Sequence, residues 1–434
     1  MAELQLPDGA RLPMVGPSPG TRGSVVATEV HAVRLNSGAW VQVVRGADSV
    51  RLPLARVALS DSAGPQFARL GAAPSTLPDT DRVIIGRPIV GGTYKWFLIP
   101  GTTVEVTGRS GTATRIRLDE SLQVYVDSAE LTPLPAGTPA PRRVASNARV
   151  VASDGWSDVR IPVSDIPPYS VDAEPQALVL TLHGTTANTD IINFTSTDSI
   201  VRRVTWRQVA SGRAEYRVEL HHAPFGYLVS WERGTLILRV RATPAIDRSR
   251  PLQGLVIAVD AGHPPAGSTG PTGLYEAVAT LGISERLRTY LGQRGATVVM
   301  TRTAPGAVAL ADRPVMARRA NAHAFVSIHL NALPDGVNPF DRHGTGTYYF
   351  NSWSEPMARA IQAGMVRWMG LRDLGVYYDN LAVLRPTWMP SVLCEGAFVM
   401  IPEQEAALRT PEFQDAYARG VAEGLEEYFR TLRR

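Results

Sequence analysis

The sequence predicts a multidomain protein, in which a C-terminal α/β domain with a mostly parallel sheet flanked by helices follows several small all-β domains. With 434 residues, the chain is too long for one ordinary core, and its length suggests roughly two to four domains. Segments rich in Pro, Gly, Ser and Ala interrupt it at 60–81, 132–143 and 242–253, and we interpret them as linkers. Alternating strands fill the chain before the last linker, whereas apolar strands and amphipathic helices alternate after it.

Two similar segments indicate two copies of a small β unit near the N-terminus. One begins at Ser37 and reads SGAWVQVVRGADSVRLPLARVAL; the other begins at Ser110 and reads SGTATRIRLDESLQVYVDSAEL. Each has a Ser-Gly opening, a short alternating strand, a polar turn and a second strand, a pattern typical of small all-β barrels. We therefore expect small β domains at 1–60 and 82–132.

Residues 144–241 predict a third all-β domain. Its segments alternate apolar and polar residues, as strands with one solvated face do. These segments are SDVRIPVS, QALVLTLHG, VRRVTWRQVA, EYRVELHH and TLILRVRA. We expect a small β-sandwich here.

Residues 254–434 predict the α/β domain. Continuous apolar strands that alternate with amphipathic helices imply a mostly parallel sheet covered on both faces. The predicted strands are 255–260, 297–301, 324–330 and 391–394, and the predicted helices are about 276–294, 310–322, 354–370 and 411–431.

Composition excludes several classes of protein. The chain is 44% hydrophobic and 19% charged, as globular proteins are, and no apolar run approaches the roughly 20 residues of a membrane span. The net charge of +4 is carried almost wholly by arginine, since Lys95 is the only lysine, and no basic cluster with aromatics indicates a nucleic-acid groove. Cys394 is the only cysteine, so no disulfide forms within the chain.

Four side chains that can bind a metal or transfer a proton stand at the ends of predicted elements in the α/β domain. VIAVDAGH ends in His263, FVSIH in His329 and SVLCE in Glu395, while Glu276 opens a helix. Ligands of open α/β sheets bind outside the carboxyl ends of the strands, so these side chains converge if the strands are neighbours. Two histidines and one carboxylate form the protein ligand set of a catalytic zinc site, and a second carboxylate supplies the general base. Glu276 and Glu395 each fit either role.

A structural role is the alternative for each residue taken singly. One histidine at a strand end is more often a hydrogen-bonded structural residue than a ligand. Glu276 at a helix N-terminus is favourable for its charge alone. Glu395 has no comparable alternative, because a carboxylate between PSVLC and GAFVM is partly buried, which is costly unless it is paired or protonated.

At these residues the C-terminal domain resembles the zinc-dependent N-acetylmuramoyl-L-alanine amidases of the family called amidase type 3. The resemblance covers about 255–430 and rests on several motifs in the family's order. They are VIAVDAGH, GLYEAVATLGISERLRTYLGQRGATVVMTR, LADRPVMARRANAHAFVSIHLNA, GTGTYYF, LAVLR and PSVLCEGAFVMIPEQEAALRTPEFQ.

The resemblance implies a zinc ion bound by His263, Glu276 and His329, with Glu395 as the catalytic acid/base. It also implies that Arg385, in LAVLR, and Asn331 line the substrate groove. Two departures are visible: Pro264 and Pro265 stand where the family has Gly-Gly, and EGAF replaces Glu-Gly-Phe after the base. The segment NALPDGVNPFDRHGTG is too short for the autoinhibitory helix of some relatives, so we expect an open groove.

The upstream segments resemble the usual companions of that family. Residues 144–241 are similar to an AMIN domain, and the segments at about 20–60 and 85–132 are similar to bacterial SH3-type barrels. In such proteins these modules hold the enzyme on the cell wall. We therefore expect an exported, periplasmic or cell-wall-associated protein, although the first residues lack the basic and apolar regions of a signal peptide.

The predicted function is hydrolysis of the amide bond between the lactyl group of N-acetylmuramic acid and L-alanine in peptidoglycan, in cell wall remodelling or cell separation. Two alternatives stay open. One is a catalytically inactive scaffold that binds the cell wall, although such a scaffold tends to lose a ligand or the base. The other is a zinc peptidase of related fold, which requires a carboxylate-binding arginine or a second set of metal ligands. Arg385 is the only candidate for such an arginine, and no second set of metal ligands is evident in the sequence.

Overall fold

The computed structural model describes residues 65–73, 82–334 and 336–432, together with the backbone of strands between residues 3 and 53. Those N-terminal strands are β1 (Glu3–Gln5), β2 (Arg11–Val15), β3 (Arg22–Val26), β4 (Glu29–Leu35), β5 (Gly38–Arg45) and β6 (Asp48–Pro53). Strands β4, β5 and β6 pair as an antiparallel meander. The core of the predicted 1–60 domain lies outside the residues whose side chains are described.

The next unit is an antiparallel β domain. Its strands are β7 (Gln66–Leu70), β8 (Ile84–Gly86), β9 (Trp96–Leu98), β10 (Thr103–Ser110), β11 (Ala113–Asp119), β12 (Leu122–Asp127) and β13 (Leu131–Pro133). A sheet in the order β12-β11-β10-β7-β13 and the β8–β9 hairpin enclose an apolar core that includes Leu98 and Ile116. β7 lies inside the predicted linker 60–81. It forms a strand because Phe67, Ala68 and Leu70 are buried, which the Gly/Pro/Ala-rich composition of the segment concealed.

Two mostly antiparallel sheets that pack face to face follow. The strands of this sandwich are β14 (Arg143–Ala145), β15 (Ala148–Ser153), β16 (Trp156–Pro162), β17 (Tyr169–Glu174), β18 (Ala177–His183), β19 (Thr185–Ala187), β20 (Ile192–Phe194), β21 (Val201–Ala210), β22 (Arg213–Leu220), β23 (Tyr227–Glu232) and β24 (Thr235–Arg241). One sheet has the order β20-β15-β16-β24-β23 and the other β17-β18-β22-β21. Inward residues of both sheets, such as Val159 and Leu180, share one core.

The C-terminal domain alternates strands and helices. Its elements are β25 (Val256–Ala261), α1 (Glu276–Gln293), β26 (Thr297–Met300), α2 (Asp312–Arg319), β27 (Ala324–Asn331), β28 (Thr345–Tyr349), α3 (Glu355–Met369), β29 (Asp373–Tyr378), β30 (Ser391–Phe398), α4 (Pro402–Leu408) and α5 (Pro411–Thr431). They form a mixed sheet in the order β26-β25-β27-β30-β28-β29. Strands β26, β25, β27 and β30 are parallel, and β28 joins β30 in the antiparallel direction.

Helices cover both faces of this sheet. On one face α1, α3 and α5 bury a large core around Ile283, Ile361 and Val421. On the other face α2 and the 3-10 turn Ala382–Leu384 cover a smaller core that includes Phe325 and Leu393. The second face is the one toward which His329 and Glu395 point, because Phe325 and Leu393 precede them by even steps on their strands.

The sandwich is docked firmly on the α/β domain. Arg241, the last residue of β24, is buried, and its guanidinium donates to the carbonyl oxygens of Asn321, Ala322 and Trp388. The segment 242–253, which the composition indicates as a linker, contributes Leu252 to the core of the α/β domain. The linker interpretation is therefore wrong for its last residues. In the described part of the chain, every helix is too short or too polar to span a membrane.

Candidate metal centre and active site

The predicted site residues meet at the carboxyl edge of the parallel strands. His263 follows β25, and His329 lies near the end of β27 beside it. Glu395 lies on β30, directly opposite His329. Glu276 is the first residue of α1, whose N-terminus reaches the same edge. Neighbouring parallel strands thus bring together residues that are far apart in the sequence.

Three of these residues form a compact donor cluster. His263 Nε2 lies 3.3 Å from Glu276 Oε2, and His329 Nδ1 lies 3.2 Å from Glu276 Oε1. One ligand atom from each of the three residues lies within 4.8 Å of the other two. The two imidazole rings meet edge to face, with centroids 4.8 Å apart.

This cluster fits a zinc ion. Zinc binds imidazole nitrogen and carboxylate oxygen at about 2.0–2.2 Å, so two donors in a tetrahedral shell lie about 3.4 Å apart. The histidine–glutamate separations of 3.3 and 3.2 Å are close to that spacing, although they run to different oxygens of Glu276, and one ligand atom from each residue lies within 4.8 Å of the others, so small movements of these side chains complete the shell. The two histidine side chains are 23% and 16% exposed, whereas Glu276 is 2% exposed. The cluster is therefore open on the histidine side and closed behind the carboxylate.

Contacts around the cluster orient each donor. The carbonyl oxygen of Pro265 lies 3.1 Å from His263 Nδ1 and accepts a hydrogen bond from the Nδ1–H group. This contact leaves Nε2 free to bind a metal. Both oxygens of Glu276 also accept backbone N–H groups, Oε1 from Leu330 and Oε2 from Ser268, each at 3.0 Å. Such contacts fix ring orientation and carboxylate position before any metal binds.

Electrostatics keep Glu276 ionised. Burial on its own raises the pKa of this carboxyl, but hydrogen bonds with His263 and His329 hold that pKa far below its ordinary range. The same contact with Glu276 raises the pKa of His263 above its ordinary value, against the opposing effect of burial. A carboxylate that stays charged is the form a divalent cation requires.

The backbone before the first ligand is tightly constrained. His263 itself has φ of 57°, an uncommon value for a residue with a side chain. At Gly262, a Cβ atom would lie 2.6 Å from the ring of His329 and from the carbonyl oxygen of Ile328. Only glycine fits there, because His329 packs directly against the backbone that carries His263.

Two buried arginines, not anticipated from the sequence, hold the His263 loop. Arg313 of α2 donates to Asp260 Oδ1 at 2.8 Å and to the carbonyl oxygens of Ala261 and Pro264. Arg302 donates to the carbonyl oxygens of Ala261 and Gly262. The motif that contains Arg313, LADRPVMARR, is visible in the sequence, but nothing local shows that its guanidinium points at the loop.

Glu395, opposite His329 on the neighbouring strand, has an unusual environment. Its Oε2 atom is buried, and none of the described residues forms a hydrogen bond with it. Burial and the nearby charge of Glu276 raise the pKa of Glu395 well above its ordinary value. The residue as a whole is half-buried, and a buried carboxyl oxygen without a partner beside a donor cluster is costly for stability and indicates a functional role.

Tyr417 of α5 is a third residue that sequence reasoning missed. Its hydroxyl donates to the carbonyl oxygen of Cys394 at 2.8 Å and lies 3.2 Å from that of His329. It thereby ties together the two strands that carry Glu395 and His329. A β-bulge in β30 follows Glu395, since His329 pairs with Glu395 but Asn331 pairs with Phe398. Bulges of this kind often lie next to active sites and aim a side chain.

The two predicted groove residues have different positions. Asn331 lies two residues beyond His329 on β27, so its side chain shares the face of that ligand. Arg385 lies at the opposite end of β30, just before the strand begins. There its guanidinium donates to Asn380 and stacks 3.8 Å from the ring centroid of Tyr94 in the preceding β domain. The structure therefore does not bring Arg385 to the donor cluster.

Comparison with known proteins gives the family. A family model described as N-acetylmuramoyl-L-alanine amidase matches residues 257–427. The uncharacterised protein YqiI of Bacillus subtilis is 30% identical over 198 residues, which are 44% of this chain and 93% of that protein. The N-acetylmuramoyl-L-alanine amidase LytC of the same organism is 32% identical over 43% of this chain, but the match spans only 39% of LytC. A solved N-acetylmuramoyl-L-alanine amidase from Clostridium difficile 630 is 31% identical with a TM-score of 0.39, covering 41% of this chain and 97% of that one. Through residues 257–427 and its 30% identity with nearly the whole of YqiI, this chain belongs to the N-acetylmuramoyl-L-alanine amidase family.

Proposed function

We propose that the chain is a zinc-dependent peptidoglycan amidase, with His263, Glu276 and His329 as zinc ligands and Glu395 as the acid/base. One observation carries the proposal: three donors whose ligand atoms lie within 4.8 Å of one another are adjacent to Glu395, whose Oε2 atom is buried and has no hydrogen-bond partner among the described residues. The family membership supplies the reaction class. The bond is the amide between the lactyl group of N-acetylmuramic acid and L-alanine.

The chemistry divides between the metal and the chain. Zinc bound at this site supplies a Lewis acid and a lowered pKa for water. Glu395 accepts a proton while the attacking water adds to the carbonyl carbon, and it returns that proton to the amine of L-alanine as the C–N bond breaks. A raised pKa suits this role, because the group must both accept and release a proton near neutral pH. We assign substrate binding to Asn331, because it lies two residues beyond His329 on the same strand.

The all-β units suit an enzyme that acts on an insoluble polymer. We assign residues 144–241 as an AMIN-like module. We assign residues 82–132, extended by β7, as an SH3-like module, and we assign residues 1–60 as a second SH3-like module. Modules that bind the polymer raise the effective concentration of substrate at the site. The protein then works at the cell wall, in the periplasm or outside the cell, in wall remodelling or cell separation.

Metal and activity titrations test the proposal together. The chain is stripped with a chelator, zinc is added back in steps, and bound zinc and release of L-alanine amino groups are measured on the same samples. We expect both to saturate at one zinc per chain, and His263→Ala to lose bound zinc. Zinc binding without cleavage would favour the inactive scaffold, and new amino groups from bonds within the peptide would favour a peptidase.

A further inference from the structure

A large cleft lies where the sandwich, the preceding β domain and the α/β domain meet. Its volume is about 1000 Å³, which is large enough for several sugar rings. All three units supply its walls. The lining includes Tyr94, Lys95, Tyr227, Phe350, Tyr378 and Arg385.

The cleft and the donor cluster share one wall. Pro314 and Val315 of α2 line the cleft, while Arg313, the residue before them, holds the His263 loop. The 3-10 turn Ala382–Leu384 bounds the same sheet face on the other side, and Ala382 also lines the cleft. The cleft is therefore on the sheet face toward which Glu395 points, beyond the opposite end of β30.

The cleft is built of residues held in fixed positions. Asn380 accepts from Arg385 Nε at 2.7 Å and donates to the carbonyl oxygen of Tyr94. The ring of Tyr94 lies between two guanidinium groups, that of Arg385 at 3.8 Å and that of Arg87 at 4.0 Å from its centroid. Contacts between domains thus hold Arg385, the arginine of the LAVLR motif. They direct its side chain toward the cleft and away from the proposed zinc ligands.

Aromatic rings and cations line the cleft together. Tyr378 is 66% exposed and stacks on Phe350 with ring centroids 5.6 Å apart, which presents a flat apolar surface. The ionisable lining comprises Arg82, Lys95, Arg318 and Arg385 against Glu130 and Asp172, so positive charge exceeds negative charge by two. Such a surface suits a ligand with apolar ring faces and carboxylate groups.

The proposed reaction itself produces such a ligand. Cleavage of the lactyl–alanine amide leaves a lactyl carboxylate on each N-acetylmuramic acid, so a stripped glycan strand carries a carboxylate directly on the sugar wherever its peptide is removed. The C–H faces of its sugar rings are apolar and pack on aromatic side chains. We propose that the cleft binds glycan stripped of its peptides, an inference that rests on the proposed function. Such binding keeps the enzyme on the strand that it has processed.

Binding measurements on an inactive full chain test the inference. Glu395→Gln serves as the parent, and its affinity is measured for stripped wall glycan and for a neutral chitooligosaccharide of equal length, which lacks lactyl groups. Lys95→Glu removes a cation from the cleft and Tyr378→Ala removes an exposed ring. The matched controls are Arg109→Glu, an exposed cation of the same β domain, and Phe194→Ala, an exposed ring of the sandwich; neither control residue lines the cleft.

We expect the parent to prefer stripped glycan over the neutral oligosaccharide by about tenfold or more. Lys95→Glu should abolish this preference, and Tyr378→Ala should weaken the binding of both ligands. The two control variants should bind both ligands with the affinity of the parent. Equal affinity of the parent for the two ligands, or unchanged affinity in both cleft variants, overturns the inference. When Lys95→Glu and Tyr378→Ala are made in the active chain, which keeps Glu395, the rate of cleavage of a single disaccharide-peptide should stay unchanged. If the active chain fails to cleave that small substrate at all, the proposed function fails, independently of the binding result.

Discussion

His329 and Glu395 stand directly opposite each other on the adjacent parallel strands β27 and β30. One strand thereby contributes a donor of the cluster, and its neighbour contributes a carboxyl group with one buried, unpaired oxygen. Tyr417 fixes this pair from behind, through the carbonyl oxygens of His329 and Cys394. The relative position of these two side chains is thus set by the sheet, whereas His263 is held by a loop and Glu276 by a helix.

Glu395→Gln tests the role of the buried carboxyl. The amide keeps the size of the side chain but cannot accept the proton, so we expect kcat to fall about 10²- to 10⁴-fold. Bound zinc should stay at the level of the parent, and thermal stability should not fall, because a neutral amide is buried at less cost than a carboxylate. Metal content and the melting temperature are measured beside the rate. A variant that keeps more than a tenth of the activity would exclude Glu395 as the base.

Gly396→Ala tests the fit of Tyr417 behind the active-site strand. A Cβ atom at Gly396 would lie 2.2 Å from the Tyr417 ring, so we expect a loss of about 1–3 kcal/mol in stability and a further loss of activity. Adding Tyr417→Leu should restore part of the stability, since the bulky ring is removed. The control is Gly292→Ala in α1, where nothing lies within 4 Å of the added atom. Calorimetry that finds the two alanine variants equally stable would contradict the packing described.

Arg241→Met tests how firmly the sandwich is docked. The substitution leaves the carbonyl oxygens of Asn321, Ala322 and Trp388 without their buried donor, at a cost of about 2–4 kcal/mol. Calorimetry should show the sandwich and the α/β domain melting together in the parent and separately in the variant. Arg207→Met, which removes an exposed ion pair with Glu215, should behave as the parent. A single unchanged transition in Arg241→Met would show that the docking does not depend on this arginine.

A buried histidine makes the junction of the two β units sensitive to acid. His183 of the sandwich donates from Nδ1 to Asp119 of the preceding domain at 2.7 Å, and Arg213 also binds Asp119. Burial lowers the pKa of His183 below its ordinary 6.5, although the contact with Asp119 opposes this. Burial would raise the pKa of Asp119, but its hydrogen bonds with His183 and Arg213 hold it below 3.8.

The sign of the pH dependence follows from these two shifts. Below pH 6.5 the unfolded chain takes up a proton at His183 before the folded chain does, so stability falls as the pH falls, by at most about 1.4 kcal/mol per pH unit from this group. Below pH 3.8 the loss at Asp119 adds to it. Urea unfolding between pH 7.5 and 5.5 should show a shallower slope for His183→Gln than for the parent. His222→Gln, at an exposed position, is the control and should keep the parent slope.

Much of the α/β domain could be predicted because its signals are local. The apolar run before His263 and the amphipathic pattern after Glu276 place β25 and α1 within one or two residues of their observed bounds. β29 was not predicted: its residues DLGVYY are mostly half-buried and contain a glycine, so neither alternation nor apolar continuity marks the strand. The antiparallel direction of β28 depends on its pairing with β30, which no local pattern reveals.

The limits are similar at the site. The donor residues could be predicted because each is a chemically distinctive side chain at the end of a strong pattern. Arg313 and Tyr417 could not, because each acts through backbone carbonyl groups that are remote in sequence. The same holds for the contact between Arg385 and Tyr94, which depends on how two domains pack.

Digestion of purified peptidoglycan, with products read by mass spectrometry, tests the central claim most directly. The parent chain with zinc should release intact stem peptides with free L-alanine amino termini and leave glycan with lactyl carboxylates. Chelator and Glu395→Gln should each abolish both products. New ends within the peptide, or lactyl–alanine cleavage that persists in chelator or in Glu395→Gln, would contradict the account.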